Sequence, residues 1–478
     1  MKYLRRCLKA LGWLMLALGG LVAVWLAALV VANWNDDALT EAAQRALQYT
    51  PPTEQALEGN GYLILMGLDA PTGGDAIGDA MALGRQRLAR EIERRRWVEA
   101  HGDRQEGMPP SMPPPHDAGD DVLPTRLRCP AEATDCFARY ARHEVEIASL
   151  ARTQSAVLQR LTGITSAARF SNPAPAYLLA EHAPFGVLVR AHELWLAQAS
   201  LAWAHGQHLQ AMEMARQAVQ LRRRLASGAD TLLAAMIAIA MQHRELRWLS
   251  AASAQGTQSL PAAVTDAIES LLSVPTESLT PALAGEMRFI ASAFYLYRTA
   301  GLPAEASEEP PAWWQRTFRK PSNLGFLPHH TLNLSVGYQQ QVQALSSLPA
   351  HQLQTAFSEA SRQWAKDGTC SLWLHLRNPV GRCLAAIEAP DYQGYAQRIA
   401  DIDGYRRLVL LQHRAAAEQV APPDMPAWLA QSPEALRNPY TLEPMQWDAA
   451  TRSLVFEGRE KQNQNPDQSP TYRIRLRS

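Results

Sequence analysis

The feature that most constrains this chain is a run of 22 residues without a charge, from Leu11 to Ala32. At 1.5 Å rise per residue, roughly 20 such residues in a helix span the hydrocarbon core of a bilayer. The run predicts a transmembrane helix over 11–32, with Leu11, Leu14, Leu18, Val22, Leu26 and Val30 as anchor positions and Trp34 as an interfacial aromatic at its far end. Lys2, Arg5, Arg6 and Lys9 precede the run, whereas Asp36 and Asp37 follow it. Basic flanks stay on the cytoplasmic side, so residues 1–10 are expected in a bacterial cytoplasm and the bulk in the periplasm, held to the inner membrane. A cleaved signal peptide is the competing reading, because Val30-Val31-Ala32 puts small residues near a cleavage point. Signal peptides carry apolar stretches of about 7–15 residues, so length favours a signal anchor. Either reading exports the rest of the chain. Cys7 precedes the apolar run and is not a lipoprotein acylation site.

Formal charge sums to zero over 46 basic and 46 acidic residues, and the part beyond the N-terminal basic cluster is slightly acidic. That balance excludes the electrostatic footprint of a nucleic-acid binder. Four cysteines lie beyond the apolar run in two local pairs, Cys129/Cys136 and Cys370/Cys383. In an oxidising compartment they are candidates for structural disulfides; four cysteines allow three connectivities, and local closure costs the least loop entropy. Their spacings do not fit zinc ligation, and no Cys-x-x-Cys supports a redox role.

Helical periodicity dominates the chain beyond the apolar run. A membrane-proximal segment, 33–100, carries helices near 39–48 and 78–98, and the run Arg94 to Arg96 in the second reads as a solvated face. Residues 101–125, with GMPPSMPPPHDAGDD, lose periodicity and read as a Pro-rich linker or loop. An α-helical ectodomain is expected over 126–430, with segments at 137–162, 186–205, 207–226, 229–250, 260–273, 280–299, 332–346, 351–365 and 391–418. Breaks at Gly163, Pro184, Gly206 and Gly228 are short enough to favour antiparallel hairpins. Residues 431–478 switch to period-2 alternation in MQWD, SLVFEG and TYRIRLRS. This predicts a small β-hairpin or meander, with Tyr472, Ile474 and Leu476 inward and Arg473, Arg475 and Arg477 outward. The expected fold class is mainly α: one transmembrane helix, a helical-hairpin ectodomain (solenoid-like if the hairpins repeat) and a small C-terminal β segment.

In HELWLAQASLAWAHGQHLQAMEMARQAVQL, small residues recur at Ala199, Ala202, Gly206, Ala211, Ala215 and Ala218. That spacing resembles a tetratricopeptide repeat over 192–225, whose two helices pack closely at small positions around a glycine-containing turn. The usual aromatics are absent, with Ala202 and Ala215 in such positions, and no proline closes the unit. Near the C-terminus, Asn438, Pro439, Tyr440 and Pro444 in NPYTLEPM resemble a turn of uncharacterised bacterial single-pass envelope proteins. Those read Asp-Pro-Phe, then Gly, then Pro; here Leu442 stands near the expected Gly. This resemblance implies location more than activity.

Catalytic signatures are missing from the sequence. No Gly-x-x-x-x-Gly-Lys or Gly-x-Ser-x-Gly occurs, Gly73-Gly74-x-x-x-Gly78 misses the dinucleotide fingerprint, and no cofactor is expected. His205 and His208 share a helix face only if Gly206 does not break the helix, with His192 one hairpin arm away. Without a carboxylate at matching spacing, no metal site is expected there. His329 and His330 point to different faces of any regular element. Glu144, Glu146, Glu181 and Glu193 are the acids a fold would need to bring within roughly 5–10 Å for glycoside hydrolysis. Trp313 and Trp314, with Arg316, Phe318, Arg319 and Lys320, form an aromatic–basic cluster that belongs either to the core or against an anionic membrane surface. These readings favour a membrane-anchored periplasmic scaffold or adaptor without evident catalytic activity, whose partner is another envelope protein. The alternatives are an envelope hydrolase acting on cell-wall material and an accessory subunit of a secretion or surface-assembly complex.

Overall fold

The computed structural model describes residues 2–101, 107–114, 118–130, 136–177, 179–228, 230–254, 260–300, 325–367, 375–388, 392–460 and 470–476. Trp313, Trp314 and their basic neighbours lie outside the described residues, as do Cys370 and Arg477. The chain opens with α1 (Lys2–Ala32), short helices α2 (Glu41–Leu47), α3 (Glu54–Leu57) and α4 (Gly61–Met66), and the long α5 (Ala76–His101). Next come α6 (Ala118–Val122), α7 (Cys136–Arg142), α8 (Glu144–Thr153) and α9 (Ser155–Ser166). The central helices are α10 (Phe185–Ala204), α11 (His208–Gly228), α12 (Leu232–Ser253) and α13 (Ala262–Ser273). Beyond them lie α14 (Thr280–Ala300), α15 (Pro328–Ser346), α16 (Ala350–Asp367), α17 (Pro379–Glu388), α18 (Tyr392–Ala417) and α19 (Met425–Ala430). Strands β1 (Gln446–Asp448), β2 (Ser453–Glu457) and β3 (Thr471–Arg475) close the chain as an antiparallel sheet in the order β1-β2-β3.

Over Leu11–Ala32, α1 is long and apolar enough to cross a membrane. Leu11, Leu14, Leu18, Val22 and Leu26 are exposed, so no protein surface covers them. Where α1 ends, the chain is held rather than tethered. Asp36 accepts from the backbone N–H groups of His329 (2.8 Å) and His330 (3.0 Å), the first turn of α15, where a carboxylate satisfies donors that have no intrahelical partner. Asp37 pairs with His330 Nδ1 (2.6 Å) and with Arg377, whose other nitrogen donates to Ala32 O at 2.9 Å. Asn33 Oδ1 accepts from the Asn378 N–H at 2.7 Å, and Asn333 bonds both Ala38 O and the Thr40 N–H. His329 and His330 thus both serve this clamp, although adjacency on a helix points them apart. Behind it, Ala43 and Ala46 of α2 pack on Ile290, Leu332 and Val336 as a small separate core.

The α10–α11 hairpin forms where the small-residue spacing placed it. Gly206 turns the chain at φ 76°, a left-handed conformation that costs glycine nothing, and Ala199, Ala202, Ala211, Ala215 and Ala218 are all buried. Helix α12 is capped by Thr231, whose side chain accepts from the Ala234 N–H at 3.1 Å. It packs on both arms of the hairpin and on α18, where Ser250 Oγ donates to Gln412 at 2.7 Å across 162 residues of sequence. Long-range contacts of this kind close most of the described helices into a bundle around one large core.

Three local expectations change. Segment 137–162 is three helices, with breaks at His143 and Gln154, because α7, α8 and α9 each turn to follow α10. Arg94 is not on a solvated face: it is 5% exposed and donates to Pro109 O (3.2 Å), Leu179 O (3.2 Å) and Tyr177 (3.3 Å) beside Glu91. The described part of the Pro-rich segment is consequently packed, since its carbonyls accept from Arg87 and Arg94 and Val122 and Leu123 enter the main core.

In the sheet, Leu454 pairs with Ile474 and Phe456 with Tyr472, so the alternation expected for β3 holds: Ile474 is buried, Arg473 and Arg475 exposed. This face lies on α18, where Phe456 sits so close to Gly404 that a Cβ there would come within 2.3 Å of the ring. Asp401 of α18 fixes the edge by accepting from the Tyr440 hydroxyl and from the backbone N–H groups of Arg459 and Glu460 (both 2.9 Å). The turn before it forms with Leu442 at φ 60°, the conformation expected of a glycine.

Candidate functional site

Close approach of α10, α11 and α12 brings their charged residues into one buried layer. His192 and Glu193 are adjacent on α10 and therefore point roughly 100° apart around it. Each starts its own network. His192, 0% exposed, holds Nε2 3.0 Å from Glu245 of α12. Arg222 of α11 donates to the second oxygen of Glu245 at 2.8 Å and also to Glu277, which accepts in turn from Arg223 at 2.9 Å. Burial opposes the ionised form of Glu245, but Arg222 and His192 outweigh it and keep the carboxyl below its usual pKa. The same balance holds Arg222 above its ordinary value: burial works against it, and Glu245 and Glu277 more than compensate.

Glu193, 1% exposed, faces the other way. It accepts from Arg128 Nε (2.9 Å), the Cys129 N–H (3.0 Å) and the Tyr140 hydroxyl (3.4 Å), with Arg244 at 3.5 Å. Burial pushes the Tyr140 hydroxyl pKa up, and the charge of Glu193 adds to the shift. Beside this cluster the expected Cys129–Cys136 disulfide is formed, with its Cα atoms 5.6 Å apart. Arg247 of α12 sets Nη2 3.2 Å and 3.1 Å from the two sulfurs and donates to Pro130 O at 2.8 Å. Cys383 is also disulfide-bonded.

The first network reaches solvent at a cavity of about 510 Å³. Helix α11 supplies Arg216, Gln220, Arg223 and Arg224, spaced i, i+4, i+7 and i+8 and so sharing one face. Phe170 and Leu271 give apolar walls, and Glu277 is the single carboxylate among the lining residues. Arg216 is engaged by Glu213 at 2.8 and 2.6 Å in an exposed pair. Arg224 has no ion-pair partner among the described residues.

The residues singled out for chemistry are dispersed. His205 pairs with Glu144 (3.2 Å) on the surface, the His208 ring lies 4.6 Å from that of Trp203, and His192 is interior. Among the described residues no group of three metal-ligating side chains gathers. Glu146 pairs with Arg126 and His143, while among the described residues Glu181 is engaged through its backbone N–H alone, by Glu91. Of the four acids only Glu193 enters the charged layer. Sequence reasoning missed Arg222, Arg224, Glu245 and Glu277. The one signal for Arg222, Arg224 and Glu245 was charge inside apolar helices, as in AMQHRELRWL and LRRRL, whereas Glu277 sits in the α13–α14 connection and carried none. No family model matches the chain, and neither a curated protein nor a solved structure does.

Proposed function

We propose that this chain is a bacterial inner-membrane adaptor, anchored by α1 with its N-terminus cytoplasmic, whose periplasmic helical body holds an acidic segment of another envelope protein. The cavity beside α11 carries the reading. Three arginines line it against one carboxylate, and that carboxylate, Glu277, is already shared by Arg222 and Arg223. Guanidinium forks match carboxylates in bidentate geometry. A ligand carboxylate takes Arg224 directly and displaces Glu213 from Arg216 at little cost, since an exposed pair contributes about 0–1 kcal/mol. The repeat-like α10–α11 hairpin supplies the rigid wall, and the clamp at Asp36 and Asp37 fixes that wall relative to the anchor. The hydrolase alternative has less support, because among the described residues Glu193 and Glu181 line different cavities and Glu144 and Glu146 line neither of those.

The test is fluorescence anisotropy of labelled hexaglutamate and hexalysine peptides against the full-length protein in nanodiscs. Saturable binding of hexaglutamate, weakened at least tenfold by Arg224→Glu and by raised salt, is expected. Equal binding of the two peptides, or hexaglutamate binding indifferent to Arg224→Glu, overturns the reading.

A further inference from the structure

Glu277 sits in the cavity beside α11 as a ligand carboxylate would. It bridges two guanidiniums, one oxygen accepting from Arg222 and the other from Arg223 Nε at 2.9 Å. We propose that Glu277 is an in-chain stand-in for a second ligand carboxylate, so that the cavity selects a segment carrying two acids. One acid pairs with Arg224, and the other displaces Glu277 from Arg222 and Arg223. The inference rests on the adaptor reading and specifies its ligand. No helix fixes Glu277, which stands in the connection between α13, ending at Ser273, and α14, starting at Thr280. That connection is anchored on either side of it. Gln242 Nε2 donates to Thr276 Oγ1 at 3.0 Å, and Leu279 is buried. Between these anchors the side chain lines the cavity, so it leaves the arginines by rotation about its own bonds with the backbone in place.

What Glu277 leaves behind decides which ligand follows. Arg222 is buried, and its Nε keeps Glu245 at 2.8 Å throughout, so displacement never strips it of every carboxylate. The nitrogen that Glu277 vacates is part of a buried cation and has to be paired again. A second carboxylate replaces like with like, whereas an amide or hydroxyl offers a weaker, neutral acceptor. Arg223 is half-exposed and accepts either the ligand or water. Arg224, without an ion-pair partner among the described residues, takes the first acid. Arg223 and Arg224 are consecutive on α11, so neighbouring acids of one segment reach both places. A ligand with a single acid pairs with Arg224 and leaves Glu277 where it is.

Labelled hexaglutamate is titrated by fluorescence anisotropy against full-length protein in nanodiscs, as wild type, Glu277→Gln and Glu213→Gln. Glu277→Gln removes the competing charge and keeps the size, and is expected to bind at least tenfold more tightly than wild type. Glu213→Gln removes the same charge from an exposed pair on α11 and is expected to gain less than about threefold, which measures general electrostatics. In wild type, carboxylates are coupled to glycine ethyl ester with carbodiimide and located by mass spectrometry. Saturating hexaglutamate is expected to raise labelling of Glu277 at least threefold, with Glu269, paired to Arg414, unchanged. A gain in Glu277→Gln no larger than that in Glu213→Gln, or Glu277 labelling that stays level or falls at saturation, overturns the proposal. The adaptor reading then still stands or falls on Arg224→Glu. Absence of hexaglutamate binding by wild type and Glu277→Gln alike overturns both. If Glu277→Gln does not fold, the labelling of wild type decides.

Discussion

His243 lies between helices and sheet, its ring 5.3 Å from that of Tyr405 on α18 and 6.4 Å from that of Tyr472 on β3. Burial, with Arg247 and Arg244 nearby, pushes its pKa down to about 4. The unfolded imidazole takes up its proton near 6.5, so between these values the unfolded state binds more protons. The contribution is complete above about pH 6.5 and is lost as pH falls toward 4, about 3 kcal/mol over the window. Denaturant unfolding from pH 7.5 to 4 is expected to show this slope, and His243→Leu to flatten it. Leu442 offers the opposite kind of test. Its φ of 60° strains a residue with a Cβ, so Leu442→Gly is expected to stabilise the chain by about 1 kcal/mol, read as a rise in the denaturant midpoint. Residues on strand β3 were legible beforehand because alternation assigns each side chain a face. The buried ions were not, because nothing in HRELRW says that Glu245 turns inward to meet His192 and Arg222. Glu245→Ala leaves His192 without its carboxylate and Arg222 with Glu277 alone, and is expected to cost about 3–5 kcal/mol in the same assay.

Elements with strong periodicity and clear breaks were read correctly: the apolar helix α1, the α10–α11 hairpin, α14, α15, α16 and α18 all stand where apolar spacing put them. The failures share a cause. Helix α17 follows Asn378, itself at φ 52°, and the breaks at His143 and Gln154 fall in good helix-forming sequence, so tertiary contacts rather than local propensity set those boundaries. The clamp at α15 belongs to this scale, since it joins helix ends nearly 300 residues apart, Asp36 to His329 across 293. Asp36→Ala removes the acceptor of two first-turn donors and is expected to cost about 1 kcal/mol. Hydrogen exchange should localise the effect to 329–333, with protection there falling about fivefold while α18 is unchanged. Uniform loss across both helices would mean that Asp36 supports the global fold and does not act as a local cap.

For the whole molecule, the organising fact is that two charged networks start from neighbouring residues of one helix and end at different surfaces. His192 leads through Glu245 and Arg222 to the arginine-lined cavity, and Glu193 leads to the disulfide under Arg247. The apolar N-terminal helix, helical class and the Cys129–Cys136 pairing could be read from spacing alone, but the cavity depends on contacts among α9–α13 that no local pattern encodes. The central claim is that this cavity is the contact surface for an acidic partner, and photo-crosslinking in the native membrane tests it most directly. With a photoreactive residue replacing Gln220 at the cavity wall of the full-length protein, the account predicts one reproducible adduct whose crosslinked peptide is acidic, lost when Arg224→Glu is added. An adduct through a basic or uncharged peptide that survives Arg224→Glu, or no adduct above that of a residue on the opposite face, would contradict it.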